Sequence, residues 1–318
     1  MRRLLIASAA ALVLAASGAA VAGNGTPVND SANALTVAVI GDTPYGSEQL
    51  AQFPALVDDV NADPKVDLVV HLGDIKSGST VCSDEYFATM SSNFGAFKDP
   101  LVYTPGDNEW TDCHRTNNGG YDPLERLAKI RSVFFSDPGV SLGGRKKHVL
   151  TQSGYPEDQL WLQSQVVFSV VHVVGSNNSR NAWTPPLETP ANAARRTAEA
   201  DAREAAALAW IDETFDLAEA QDAAGVVLGM QADTFIGSNE TAPAFKAIVD
   251  RIGERAADFG RPVLLLQGDT HVFTVDQPYA AAPNLTRIVV QGETASEWLR
   301  LTIDPRADRL FTWERIPV

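Results

Sequence analysis

Short apolar runs alternate with amphipathic stretches along most of the chain. LTVAVIGD at 35–42 is a continuous apolar run ending in Gly-Asp, and it predicts a buried strand. SEQLAQFPALVDDVNA at 47–62 has the apolar spacing of a helix. VDLVVHLGD (66–74) predicts a second strand, DEYFATMSSNFGAF (84–97) a second helix, LVYTPGD (101–107) a third strand and PLERLAKIRSVFF (123–135) a third helix. Residues 136–163, with many Gly, Ser and Lys, predict an irregular insertion. Strand signal returns in QVVFSVVHVVGSN (165–177), and a loop with Pro185, Pro186 and Pro190 follows. An Ala-rich helix is expected over 194–221, then a strand (224–233), a helix (242–259) and a strand (262–271). The tail, with LTRIVVQG, WLRLTID and RLFTWERI, reads as antiparallel strands. Continuous apolar strands between helices mean an α/β fold with its sheets covered. The alternation is unbroken and nothing repeats, so a single domain is expected over 35–318.

The N-terminus departs from this pattern. Arg2 and Arg3 precede an apolar run from Leu4, and Ala20-Val21-Ala22 has the small-x-small form of a cleavage site. Residues 1–22 therefore read as a signal peptide cleaved after Ala22, with an uncleaved anchor as the alternative. Residues 23–34 read as a flexible leader. No other segment is long and apolar enough to span a bilayer, so the mature chain is expected to be exported, periplasmic or secreted. The full sequence has a formal charge of −15, and removing residues 1–22 would take away Arg2 and Arg3 and no acid. That acidity argues against a nucleic-acid-binding patch and against an anionic membrane surface. Cys82 and Cys113 form an even pair in an exported chain, which suggests a disulfide worth roughly 3–4 kcal/mol. A metal-thiolate pair is the rival reading, and no C-x-x-C spacing supports it.

The polar ends of the strands carry the candidate chemistry. They are GDTPY (41–45), GDIKSG (73–78), GDNEW (106–110), MQAD (230–233) and GDTH (268–271). Ligands of α/β sheets bind outside the carboxyl ends of the strands. Glycine is expected to let the backbone turn there, and the following Asp to point into the crevice. Carboxylates gathered in one crevice repel and raise one another's pKa, and divalent cations relieve the repulsion.

The order and context of these tips resemble the calcineurin-like metallophosphoesterases, from about Leu35 to Val272. That family's pattern is a D-x-H tip, a GD tip, a GNH-D/E tip, a lone strand-end His and a GH-x-H tip. Asp42 matches the first Asp, Asp74 the Asp that bridges two metals, Gly106 and Glu109 frame the third tip, and His271 matches the final His. Ala209-Trp210-Ile211 resembles the helix before the fourth tip. The departures are Pro44 for the first His, Asp107 and Asn108 for Asn-His, Gln231 for the lone His and Asp269 for the first His of the last tip.

The resemblance implies a layered, β-sandwich-like core with helices on both outer faces. It implies one or two divalent ions held by Asp42, Asp74, Asp107, Gln231, Asp269 and His271. Asp42, Asp74 and His271 would serve the first ion, and Asp74, Asp107, Gln231 and Asp269 the second. Exchanging imidazoles for oxygen donors favours Mn²⁺, Mg²⁺ or Ca²⁺ over Zn²⁺. Pro44 leaves the first site thinner. Asn108 stands where the family has a His that assists the reacting phosphate; an amide donates a hydrogen bond but is no general acid. His114, in the following loop, is the candidate replacement, against an ordinary surface histidine.

The implied activity is hydrolysis of a phosphate mono- or diester by metal-activated water, on a phosphorylated small molecule or a phosphodiester. The alternative is an inactive relative acting as an extracytoplasmic metal- or ligand-binding module; a third reading is a structural calcium-stabilised protein. Lys76 and Arg115 are candidates to clamp a phosphate, or else solvated surface charges. Asn177 and Asn178 are candidate neutral donors at the crevice. His71 and His172 read as buried, hydrogen-bonded histidines, and His148 as part of a solvated basic loop.

Overall fold

A computed structural model describes residues 33–236 and 240–318. The expected signal peptide and residues 23–32 of the expected leader lie outside them. The first part of the chain runs β1 (Leu35–Ile40), α1 (Gly46–Ala62), β2 (Val66–His71), α2 (Asp84–Gly95), β3 (Pro100–Tyr103), α3 (Pro123–Phe134) and β4 (Leu142–Gly143). The middle adds β5 (Leu150–Gln152), β6 (Tyr155–Gln163), β7 (Val166–Val170), α4 (Pro190–Ala220) and β8 (Gly225–Gly229). Then come the small hairpin β9 (Phe235–Ile236) and β10 (Glu240–Thr241), α5 (Lys246–Phe259) and β11 (Val263–Gln267). The chain closes with β12 (Thr274–Asp276), β13 (Leu285–Val289), β14 (Glu297–Ile303) and β15 (Phe311–Pro317).

Two mixed sheets pack face to face between helices, as the resemblance implies. One has the order β15-β14-β1-β2-β3-β4, the other β12-β13-β11-β8-β7-β6-β5. Their centres are parallel: β1 with β2, β2 with β3, β7 with β8, β8 with β11 and β11 with β13. Antiparallel strands finish both edges.

β1 shows why the central strands are apolar at every position. Val37 and Val39 join the cluster between the sheets, while Ala38 and Ile40 join the cluster under α1, α2 and α3. In the other sheet, Val227, Leu264 and Leu266 face inward, and Val226, Leu228, Val263 and Leu265 pack under α4 and α5. Side chains alternate across a strand, so a strand covered on both sides has no polar face.

Local signals set the helix starts. Ser83 accepts from Tyr86 N at the head of α2, Asp122 caps α3 ahead of Pro123, and Thr189 caps α4 ahead of Pro190. α4 therefore begins at Pro190 rather than at 194. Among the described residues no helix is long and apolar enough to cross a membrane.

Residues 136–163 are not an irregular insertion: they form β4, β5 and the nine-residue β6. Glu157 and Asp158 hide the apolar pattern of β6, yet both are buried. Arg131 of α3 donates Nε to Glu157 Oε2 at 3.0 Å, and His172 Nδ1 lies 2.9 Å from Oε1. Asp158 Oδ1 accepts from His172 N at 2.6 Å. Glu157 is thus satisfied by partners distant in sequence, whereas Asp158 Oδ2 is buried without one, and burial beside Glu157 pushes the Asp158 carboxyl well above its ordinary value. His172 is a buried, hydrogen-bonded histidine, as expected.

Burial opposes the charge on Glu157, but His172 and Arg131 overcome it and hold the carboxyl at about 2. An unfolded Glu titrates near ~4.3. The folded value is the lower one, so the stabilisation is complete above about pH 4.3 and is lost as pH falls toward 2. At about 1.4 kcal/mol per pKa unit it amounts to roughly 3 kcal/mol. Glu157→Gln is expected to lower stability by about that much at pH 7, and progressively less toward pH 2. Paired denaturation curves across that range check it, and a pH-independent difference refutes the linkage.

Candidate active site

The crevice lies at the carboxyl ends of the central strands. Asp42, Asp74, Asp269 and His271 all have left-handed backbones there, with φ of 50°, 55°, 76° and 56°. Non-glycine residues seldom adopt this region, at a cost of order 1–3 kcal/mol each, unless their surroundings hold them. Backbone bonds between tips do so. Asp42 N donates to Gly73 O at 3.0 Å, and Gly268 N to Gln231 O at 3.0 Å. Asp269 N donates to Asp42 Oδ1 at 2.9 Å, which ties one sheet to the other.

Several of the glycines beside these aspartates make room rather than turns. A Cβ on Gly106 would lie 2.1 Å from Asp74 Oδ1, and one on Gly268 would lie 2.2 Å from Asp42 Oδ2. A Cβ on Gly175 would meet Asp107 Oδ2 at 2.9 Å and Asp269 Oδ1 at 3.0 Å. Asp42 and Asp269 themselves take the turn, which corrects the expectation for Gly41 and Gly268; Gly73, with φ of 92°, turns the chain ahead of Asp74 as expected.

The structure brings together Asp42, Asp74, Asp107, Asn108, Gln231, Asp269 and His271. Asp74 is the hub. Its Oδ1 accepts from Asn108 N at 3.0 Å. Its Oδ2 accepts from Asn108 Nδ2 at 2.7 Å, from Gln231 Nε2 at 3.3 Å and from Tyr45 Oη at 2.7 Å. Gln231 Nε2 also donates to Asp107 Oδ1 at 3.3 Å, while its carbonyl oxygen accepts from Gly175 N at 2.6 Å. His271 Nε2 is 3.4 Å from Asp42 Oδ1, and Nδ1 is 2.8 Å from Glu293 Oε2.

Burial, then Asp107, Glu109, Asp42 and Asp269, push the Asp74 carboxyl well above its ordinary value. Burial, Asp107 and Asp42 do the same to Asp269. Burial also raises Asp42, against the pull of His271. Burial works against a charge on His271, yet Asp42, Glu293 and Asp269 raise its pKa.

A rigid layer stands behind the crevice. Glu109 Oε1 accepts from Asp74 N at 3.1 Å, Gly106 N at 2.6 Å and Tyr103 Oη at 2.8 Å. His71 accepts from Gly73 N at Nδ1, and its Nε2 donates to Thr43 O at 2.9 Å. Burial holds this imidazole at about 4, so it stays neutral. Lys76 is fully buried rather than solvated, with Nζ on Asn108 O at 2.7 Å and Ser77 O at 2.9 Å. Cys82 and Cys113 form the expected disulfide, which joins the loops after the second and third tips.

β7 ends at Val170, short of the expected 177. Ser176, Asn177, Asn178 and Ser179 all have positive φ. The buried Arg203 of α4 holds them, donating to Asn178 Oδ1 at 2.6 Å and Ser179 Oγ at 2.6 Å. Asn178 is therefore a buried strut, and Asn177 is exposed. His114 turns its Nδ1 to Thr184, which donates its N at 2.8 Å. The described hydrogen bonds of this ring go to that loop and not to the acids. His148 is exposed, as expected.

Sequence reasoning passed over Tyr45. Burial and the charge of Asp74 keep its phenol protonated, and its ring stands edge-on to His271 at 5.1 Å. Its place directly after Pro44, in the altered first tip, was the available signal.

The family resemblance implies a divalent ion here. Among the described residues no group of three or more His, Cys, Asp or Glu side chains is arranged to hold one. The donors fit such an ion in kind. Asp42 Oδ2 and His271 Nε2 are buried with no hydrogen-bond partner. Carboxylates with one imidazole suit a hard divalent cation.

Gly268→Ala would force a methyl against Asp42 and is expected to destabilise by about 1–3 kcal/mol. A methyl group on Gly95 would meet nothing within 4 Å, so Gly95→Ala is expected to be stabilising by about 0.5 kcal/mol. Denaturant melts of the two variants test whether the tip glycines serve close approach.

A family profile described as calcineurin-like phosphoesterase matches residues 35–228. Among solved structures, the fold is similar to that of the purple acid phosphatase PPD1 isolated from yellow lupin (Lupinus luteus) seeds. That likeness has a TM-score of 0.51 and 11% identity, and covers 92% of this chain and 55% of that chain. It is similar also to GAP50, the anchor in the inner membrane complex of Plasmodium, with a TM-score of 0.48, 9% identity and coverage of 90% and 89%. Identities this low speak of fold alone. No curated protein matches the sequence. The profile spans the first three tips and extends to β8, and the chain belongs to the calcineurin-like phosphoesterase family.

Proposed function

We propose that the protein is a metal-dependent phosphoesterase that hydrolyses a phosphate mono- or diester with metal-activated water. One observation carries the reading: Asp42, Asp74, Asp107 and Asp269 converge from different strand ends and are mutually repulsive. Such a set is stable as anions only beside positive charge. Asp42 and His271 would hold a divalent ion on one side, and Asp74, Asp107 and Asp269 on the other; Gln231, with its carbonyl oxygen on Gly175 N, donates to Asp74 and Asp107 rather than ligating. When bound, a divalent ion would acidify a water and neutralise a phosphoryl oxygen. Oxygen donors favour Mn²⁺, Mg²⁺ or Ca²⁺. Asn108 donates its two N–H groups to Asp74 Oδ2 and Tyr45 Oη, so it positions the hub carboxylate and is no general acid. The disulfide and the apolar N-terminal run support an exported protein.

A second reading has its own observation. Tyr45, Asn108 and Gln231 already donate to Asp74 Oδ2, which favours a retained fold that binds a ligand without turnover.

Calorimetric titration of metal-stripped protein with Mn²⁺ and Mg²⁺ separates the two. The first reading expects one or two equivalents, abolished by Asp74→Ala, and metal-dependent phosphoester hydrolysis reduced more than roughly 100-fold by Asp74→Asn. Metal binding without hydrolysis of either ester class favours the second. No metal binding overturns the first.

A further inference from the structure

An acidic crevice needs a cation at its mouth to receive an anionic substrate. Lys76 does not serve, because its ammonium is buried under Asn108. Arg115 is placed differently. Its side chain is 41% exposed, and Nη1 lies 2.8 Å from Asp112 Oδ2. Asp112 is buried, and its Oδ1 accepts from Ser176 Oγ at 2.7 Å. The guanidinium is therefore pinned at one nitrogen by a fixed carboxylate. Its Nε and Nη2 have no protein partner among the described residues.

Gly78 locates this group relative to the crevice. A Cβ at Gly78 would lie 3.0 Å from Asn108 Oδ1 and 3.4 Å from Arg115 Nη1. The two side chains thus flank one bare stretch of backbone. The other end of the Asn108 carboxamide sits on Asp74. Asn108 thus lies near the guanidinium beside Gly78 and touches the hub of the crevice with its other end. The disulfide at Cys113 fixes the chain two residues before Arg115.

We infer that Arg115 binds the substrate's phosphate and selects monoesters over diesters, an inference that rests on the phosphoesterase reading above. A guanidinium edge takes two oxygens of one phosphate. A monoester has three non-bridging oxygens and close to two negative charges; a diester has two and one. With one oxygen committed to the crevice, only the monoester leaves two for the fork. The anchored Nη1 leaves Nε and Nη2 to form it.

The test compares wild type, Arg115→Ala and Arg115→Lys on p-nitrophenyl phosphate and bis(p-nitrophenyl) phosphate. Arg115→Ala is expected to lower kcat/KM for the monoester roughly 10- to 100-fold and for the diester less than about threefold, with Lys in between. An equal fall on both substrates means that Arg115 only props the loop, and overturns the inference; so does an unchanged monoester rate. Melting curves establish that the variants fold, and Arg115→Lys carries the comparison if the alanine variant does not. Calorimetry with inorganic phosphate on metal-loaded protein separates the two proposals. Arg115-dependent phosphate binding without turnover sustains the site and defeats only the hydrolase. Absence of both phosphate binding and turnover in wild type defeats both.

Discussion

Carboxylates buried together repel one another, and burial removes the water that would screen them. Asp42, Asp74, Asp107 and Asp269 stand under this constraint at the carboxyl ends of two stacked sheets. Left to themselves they would swing apart or take up protons. The surrounding structure answers by crowding donors onto them. Asp74 alone accepts from Asn108, Gln231 and Tyr45. A cation would answer the same repulsion, and the buried, unpartnered atoms of Asp42 and His271 suit one.

Holding those acids in place strains the backbone. Asp42, Asp74, Asp269 and His271 have positive φ, and so do Ser176, Asn177, Asn178 and Ser179 on the facing wall. Isolated chains do not sustain such conformations, so the packing around them must. Glu109 gathers two backbone N–H groups of the second and third tips, and Arg203 locks the left-handed turn. Lys76 and the Cys82–Cys113 bridge support the carbonyl side of Asn108 from below. Gly106 and Gly268 then leave space for carboxylates belonging to other tips. Each tip is therefore shaped by a residue of another.

The strands and helices were legible where apolar periodicity was strong, as in β1, β2, β8 and β11. β6 was missed because Glu157, Asp158 and Gln159 interrupt its pattern, and the groups that Glu157 and Asp158 meet, Arg131 and His172, lie elsewhere in the sequence. The tips were legible as Gly-Asp after an apolar run. The part played by their glycines was not, since it depends on which tip lies beside which. Tyr45 escaped notice for the same reason. A tyrosine after Pro44 has no visible business with Asp74 until β1 and β2 are side by side.

The sequence by itself determined the α/β alternation, the five strand-end tips and the cysteine pair, because these rest on local periodicity and on residue types with few alternative uses; the layered core was implied by the family resemblance of the tips. Only the tertiary structure decided which groups meet: Tyr45 and Asn108 on Asp74, Lys76 beneath Asn108, Arg115 on Asp112. Those contacts span different strands and loops. Their distances follow from how two sheets twist and stack, and no local spacing in the chain encodes that.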